Sequence, residues 1–442
     1  GGFRISRFAW DGLFQHLGAM VAMLERIQAI VFPAAAVLLL LYPIVLLIGT
    51  CIEGWASPYL REQSEGSPRV DAKDASPAAN KKRARPSGGS TGPFVLNTLY
   101  QTCRRGAIGV TLLVRFVVFA LALAPWFLAI GIRYARDPNI RRGVRVGPKP
   151  RNNVDIYIPA GAGEEGAPPV PVVVAVMGGA WVIGHRAWSA ALAARLKEAG
   201  VMVVAVDYRN CPCAQVDDML DDVGSAMDWV FANIADLGGD PANVAMVGQS
   251  AGAHLSASFL LRRCAREVQE KVAEGKDAWS VRSMKGFIGV SGVYDLSSLN
   301  SEMDKRGLYP FLPHMCADGD LKRYSPTWLL NDAAPQMAAL MPQVRLLHGE
   351  SDCSAPSSQT TCFAKALRAA GIEVAASDVR PGMRHTEPVV EDPLTGGDMQ
   401  LEYILPCLLG EEEAKRRLES LPPVWPQAPR FLIDMMRPVM PF

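Results

Sequence analysis

Gly248-Gln249-Ser250-Ala251-Gly252 stands between the apolar run 244–247 and a helical pattern over 253–266. A strand must pass straight into a helix here, and that turn closes only if the residues flanking the serine at two positions' distance lack side chains. The serine is then held in strained geometry, its Oγ raised above the sheet at a helix N-terminus. A serine displayed this way is a candidate nucleophile. Outward from it, short β-rich runs lie at 154–158, 172–176, 201–206, 287–290 and 344–347, with a last strand candidate at 374–379. Helical stretches at 188–198, 217–234 and 357–370 separate them. Alternating strands and helices imply βαβ units, hence an α/β domain with a mostly parallel sheet flanked by helices.

The run 172–176 ends in Met177-Gly178-Gly179-Ala180-Trp181. Consecutive glycines let backbone N–H groups converge on one point, as an oxyanion hole requires. Gly178 and Gly179, with Ala251 after the serine, are the candidate donors. A serine also needs a base, and the six histidines are His16, His185, His254, His314, His348 and His385. His254 lies in the helix that follows Ser250 and reads as a satisfied core residue, while His348 ends a strand. His385 follows the last strand in a Gly/Pro loop, and Asp352 lies just past the strand 344–347, with Glu350 as its neighbouring competitor. Ser250, Asp352 and His385 thus occur in the chain order of α/β-hydrolase triads. Asp217, Asp218, Asp221 and Asp222 open a helix, where its dipole favours them, so they are not read as a metal site. Asp207-Tyr208-Arg209 reads as a salt-bridged turn.

The 442 residues carry 45 basic and 44 acidic side chains, and 49% are apolar. This excludes a disordered chain and offers no global field for nucleic acid. Nine scattered cysteines lack metal-ligand spacing and suit reduced thiols in a cytosol-facing protein. Before the α/β domain, residues 29–52 hold no charge. As a helix they would cover about 36 Å, enough for a hydrocarbon core of about 30 Å. A second stretch, 106–132, is interrupted only by Arg115, with Arg133 as a flanking anchor. The resulting division is an N-terminal cytosolic segment 1–28, a transmembrane span 29–52, a disordered polar loop 53–105, a second span 106–132 and a catalytic domain 152–442. Basic residues near the span ends favour a hairpin with both termini cytosolic. Residues 297–341 are too long for a simple connection and are expected to form a cap, with Leu308, Phe311, Leu312, Trp328, Leu329 and Leu330 candidates for a lipid pocket or for core packing.

Together these residues resemble the carboxylesterase branch of the α/β-hydrolase superfamily, through Gly238-Gly239-Asp240-Pro241 and Gly248-Gln249-Ser250-Ala251-Gly252-Ala253-His254. More narrowly, Gly178-Gly179-Ala180-Trp181-Val182-Ile183-Gly184, Asp207-Tyr208-Arg209-Asn210, Arg306-Gly307-Leu308-Tyr309 and Tyr324-Ser325-Pro326 are similar to plant-type isoprenylcysteine α-carbonyl methylesterases. The resemblance implies Ser250 as nucleophile, Asp352 and His385 as its partners, and an oxyanion hole from Gly178, Gly179 and Ala251. It further implies prenylcysteine methyl esters at the C-termini of processed prenylated (CaaX) proteins as substrate, no cofactor, no metal, and residence in endoplasmic reticulum or Golgi membranes with the catalytic domain facing the cytosol. Met177 stands where many related lipases carry a histidine. Two other readings share the sequence: a general membrane esterase or lipase, and a catalytically silent hydrolase-fold binding protein. Oligomeric state is not legible.

Overall fold

The structure is a computed structural model that describes residues 91–269, 279–308, 310–330, 335–424 and 427–440. The segment 1–28, the span expected at 29–52 and the loop portion 53–90 lie outside the described residues.

The chain divides into two compact units, the larger comprising Leu123–Glu302 and Pro310–Arg437. At its centre is one sheet of eight strands: β1 Ile140–Arg145, β2 Asn153–Tyr157, β3 Val170–Val176, β4 Met202–Val206, β5 Gly239–Gln249, β6 Met284–Val290, β7 Gln343–Gly349 and β8 Val374–Arg380. Their order is β1-β2-β4-β3-β5-β6-β7-β8. β1 and β2 pair antiparallel, as do β2 and β4, and all later neighbours are parallel. The central strands are valine-rich and buried along both faces, as a parallel sheet between helices demands. The strands read from the sequence are all present, within a few residues of their expected ends.

The domain starts earlier than the expected residue 152. The helix Ala124–Arg136 and β1 both belong to it. Tyr134 donates to Asp155 (2.8 Å), the Trp126 indole donates to the carbonyl of Gln427 (2.7 Å), and Arg133 pairs with Glu198. The stretch 106–132 is accordingly not one helix. It is divided at Leu123, with Pro125 at the start of the second helix, and Arg133 forms an ion pair rather than a free flanking anchor.

The smaller unit includes the helix Thr91–Ala122, so the end of the expected loop 53–105 is helical from residue 91. Within this helix, Arg104–Ala122 is long and apolar enough to cross a membrane, and most of that segment is not buried. Arg115 is not a free charge. Its guanidinium donates to the carbonyls of Pro438, Val439 and Met440 at 2.9, 3.0 and 2.7 Å.

Candidate active site

β5 ends at Gln249, and the helix Ala251–Gln269 begins one residue past Ser250. Ser250 takes φ 54°, a left-handed conformation uncommon for a residue with a side chain. The flanking glycines explain how the turn closes. A Cβ on Gly248 would lie 2.5 Å from Ala253 Cα, and one on Gly252 would lie 2.0 Å from the carbonyl oxygen of Val176. The strain at Ser250 is held by the Ser250 N–H bond to Val290 O across the sheet (2.9 Å).

The other expected residues converge on this turn. Ser250 Oγ is 2.8 Å from His385 Nε2, and His385 Nδ1 is 2.7 Å from Asp352 Oδ2. All three are buried or nearly so. Their loops are zipped together: Ser351 N–H donates to Met383 O and Glu350 N–H to Arg380 O, both at 3.0 Å. Gly349 is required there, because a Cβ would fall 2.1 Å from Met383 O. Glu350, the competing acid, is exposed. Asp352 Oδ1 accepts the N–H groups of Ser354 and Ala355, both at 2.8 Å. Burial opposes the charge on Asp352, yet the neighbouring His385 and His348 hold its carboxyl well below the usual carboxylate range.

The sequence did not reveal His348 as part of this network. Its Nε2 lies 3.1 Å from Asp352 Oδ2 and 2.9 Å from Ala355 O, while Nδ1 meets Thr360 Oγ1 at 2.7 Å. Its position at a strand end was the signal available.

The glycine turn differs from expectation at one donor. The N–H of Gly178 donates to Gln249 Oε1 (3.3 Å), and its missing side chain lets the chain pass Ser250, where a Cβ would meet the serine Cβ at 2.7 Å. Gly179, Ala180 and Trp181 have φ of 134°, 50° and 60°. A tight turn of this kind can aim neighbouring backbone N–H groups at one point, the arrangement an oxyanion requires. Ala180 thereby joins Gly179 as a candidate donor, one that sequence reasoning missed because alanine gives no hint of a left-handed backbone. Ala251 opens the helix, where N–H groups lack an intrahelical acceptor.

His254 is a core residue, as expected. Its Nδ1 accepts the Trp181 indole N–H (3.1 Å), leaving Nε2–H to donate to Tyr324 O (2.7 Å). Burial pushes its pKa down to about 4. Below the unfolded value of about 6.5, the unfolded chain binds a proton that the native His254 refuses. Stability is therefore complete above that pH and falls as pH drops toward 4, by about 3 kcal/mol in all. Urea midpoints measured from pH 7.5 to 4.5 should show this loss in the wild type and a flatter slope in His254→Gln. Equal slopes would refute the assignment.

The acidic cluster is tied to cations and tyrosine. Asp217 takes Arg262 (2.6 Å) and the Tyr324 hydroxyl (2.7 Å), while Asp218 and Asp222 take Arg209 at 3.0 and 2.9 Å. Asp207 pairs with Arg186 (2.9 Å) and Arg151, completing the turn read as salt-bridged. The segment expected to form a cap begins within the helix Leu296–Lys305 and continues in short helical turns at Leu312–Met315, Pro326–Leu329 and Pro335–Met337. Of its pocket candidates, Leu312 and Leu330 are buried, Leu308, Phe311 and Leu329 are half-buried, and Trp328 is exposed beneath the Lys322 ammonium, 4.3 Å from its ring.

Comparison with known proteins extends this picture. A protein-family model described as BD-FAE matches residues 154–367. The probable isoprenylcysteine alpha-carbonyl methylesterase ICME of Oryza sativa subsp. japonica is 36% identical over 315 residues, covering 71% of this chain and 74% of the relative. The isoprenylcysteine alpha-carbonyl methylesterase ICME of Arabidopsis thaliana is 35% identical over 337 residues, covering 75% and 77%. Among solved structures, esterase B from Lactobacillus rhamnosis superposes with a TM-score of 0.51 at 18% identity, over 69% of this chain and 97% of that one. That likeness shows the α/β-hydrolase fold.

Proposed function

The chain belongs to the isoprenylcysteine alpha-carbonyl methylesterase family of carboxylic ester hydrolases, and from that premise we propose that it removes the methyl ester from C-terminal prenylcysteines through a Ser250 acyl-enzyme. The observation that carries this reading is the hydrogen-bonded line from Ser250 Oγ through His385 to Asp352.

In the reaction, His385 Nε2 takes the Ser250 proton as Oγ attacks the ester carbonyl. The negative oxygen is met by the N–H groups of Gly179, Ala180 and Ala251, joined by Gly178 if its bond to Gln249 opens. Each such donor contributes roughly 10²–10³ in rate. Methanol departs with the proton carried by His385. Water then attacks the acyl carbon as His385 takes its proton, the bond to Oγ breaks with that proton returned from His385 to Ser250, and the carboxylic acid leaves as the carboxylate. No metal or organic cofactor enters these steps.

The apolar stretch 29–52 and the helix segment Arg104–Ala122 would anchor the enzyme in a bilayer. A lipidated substrate tail partitions into the same bilayer, which raises its local concentration. A catalytic unit on the cytosolic face agrees with the basic residues that follow the second apolar stretch, and residence in the endoplasmic reticulum or Golgi membrane completes the proposal.

The test is methanol release from farnesylcysteine methyl ester compared with hydrolysis of a short nitrophenyl ester. The expected result is a kcat/KM for the prenylated ester at least about tenfold higher. Equal rates on both would replace this reading with that of a general esterase.

A further inference from the structure

Most large apolar side chains around the catalytic turn face inward, but those that follow it do not. Val182, Ile183 and Trp188 are 42%, 55% and 57% exposed. Chain mobility does not account for their exposure. The N–H groups of Val182 and Ile183 both bond to Gly179 O at 2.9 Å. Gly184 O accepts from Arg151 (2.6 Å) and Asn210 (3.1 Å), and Trp181 O accepts from Cys211 N–H at 2.8 Å. The Trp188 indole N–H is satisfied by Ile183 O (2.9 Å), so what the ring presents to solvent is carbon.

The backbone is strained to achieve this. Ala180 and Trp181 both sit in the left-handed region, a costly conformation for residues with side chains that persists where surroundings enforce it, often at ligand clamps. The pair of left-handed residues turns Trp181 into the core against His254 and sends the next two side chains outward. A rigid, strained loop that displays hydrocarbon is preorganised for an apolar ligand.

Its place in the site identifies the ligand. A Cβ on Gly179 would lie 2.8 Å from the backbone carbon of Ile183, and Gly178 abuts Ser250. The loop therefore packs directly on the turn that faces the reacting carbonyl. In a prenylcysteine methyl ester only a few bonds separate that carbonyl from the thioether sulfur and its isoprenoid chain. We propose that the face formed by Val182, Ile183 and Trp188 seats the isoprenyl chain of the substrate. The proposal rests on the methylesterase reading and deepens it.

The experiment compares kcat/KM for detergent-solubilised farnesylcysteine methyl ester and 4-nitrophenyl acetate in wild type, Ile183→Ser, Trp188→Ser and Phe431→Ser. Phe431 is 72% exposed and serves as an apolar surface control. The prenyl-to-acetate ratio should fall about tenfold or more in Ile183→Ser and Trp188→Ser, chiefly through KM, and hold in Phe431→Ser. An unchanged ratio in both loop variants, with wild-type prenyl preference intact, would overturn the seat while leaving the methylesterase reading standing. Parallel loss on both substrates would reduce the loop to a scaffold and also overturn it. A held ratio with weaker binding to phosphatidylcholine vesicles would assign the face to the bilayer instead. Absence of prenyl preference in the wild type would refute both readings at once.

Discussion

Ser250→Ala is expected to lower kcat/KM on any ester substrate by about 10⁶-fold, the scale on which a serine hydrolase loses rate without its nucleophile. The fold should survive the change. The residue keeps φ 54°, its N–H bond to Val290 and its place between Gly248 and Gly252, none of which uses the hydroxyl. What disappears is one contact, Ser250 Oγ to His385 Nε2 at 2.8 Å. The melting temperature should therefore stay within a few degrees, while labelling by a fluorophosphonate probe is lost. Activity within a hundredfold of wild type would remove Ser250 from the mechanism, because neither an oxyanion hole nor substrate binding alone sustains that rate.

How this site came to be legible follows from where its determinants lie. The serine turn is a local feature: two glycines, one serine, and a change from strand to helix pattern within a few residues. The steric contacts that exclude a side chain at Gly248 and Gly252 are made within the turn or to the adjacent strand β3. Asp352 and His385 were found because both follow β-rich runs, and strand ends on one edge of a parallel sheet share a face. Gln249 and His348 differ in kind. One occupies a variable position inside the motif and the other ends β7, and each acts through a group reached only after the sheet assembles. Nothing in residue type announces such a role.

The missed strand has a different cause. β1 reads Ile140-Arg141-Arg142-Gly143-Val144-Arg145, and only Ile140 in it is buried. It is an edge strand whose register shifts between Arg141 and Val144 around Gly143 at φ 64°. Charged residues on an edge are a known protection against unwanted pairing, so the strand resembles a linker when judged by hydrophobicity. The apolar stretch 106–132 misled in the opposite direction. Hydropathy cannot separate a segment exposed along its length from one whose far half packs on a domain, and Pro125 was the local sign of the division.

Asp352→Asn should lower kcat by about 10⁴-fold with little change in KM, and the reason lies in the donors around the carboxylate. Oδ1 accepts two backbone N–H groups, from Ser354 and Ala355, and these fix which end of an asparagine carries its oxygen. The amide nitrogen then occupies the place of Oδ2, facing His385 Nδ1 and His348 Nε2. Nε2 of His348 must carry a proton, because its other partner is the carbonyl oxygen of Ala355. An amide there meets that N–H as a second donor, and it can bond His385 only if Nδ1 accepts. His385 is thereby forced into the tautomer with its proton on Nε2, where it cannot take the proton of Ser250. Turning the amide over would set its nitrogen against the two backbone N–H groups, so neither orientation preserves the network. Single-turnover rates on a nitrophenyl ester, with the melting temperature as a check on folding, give the result directly. A variant within tenfold of wild type would mean that the carboxylate does not set the tautomer of His385, and the charge relationship drawn from its position would have to be abandoned.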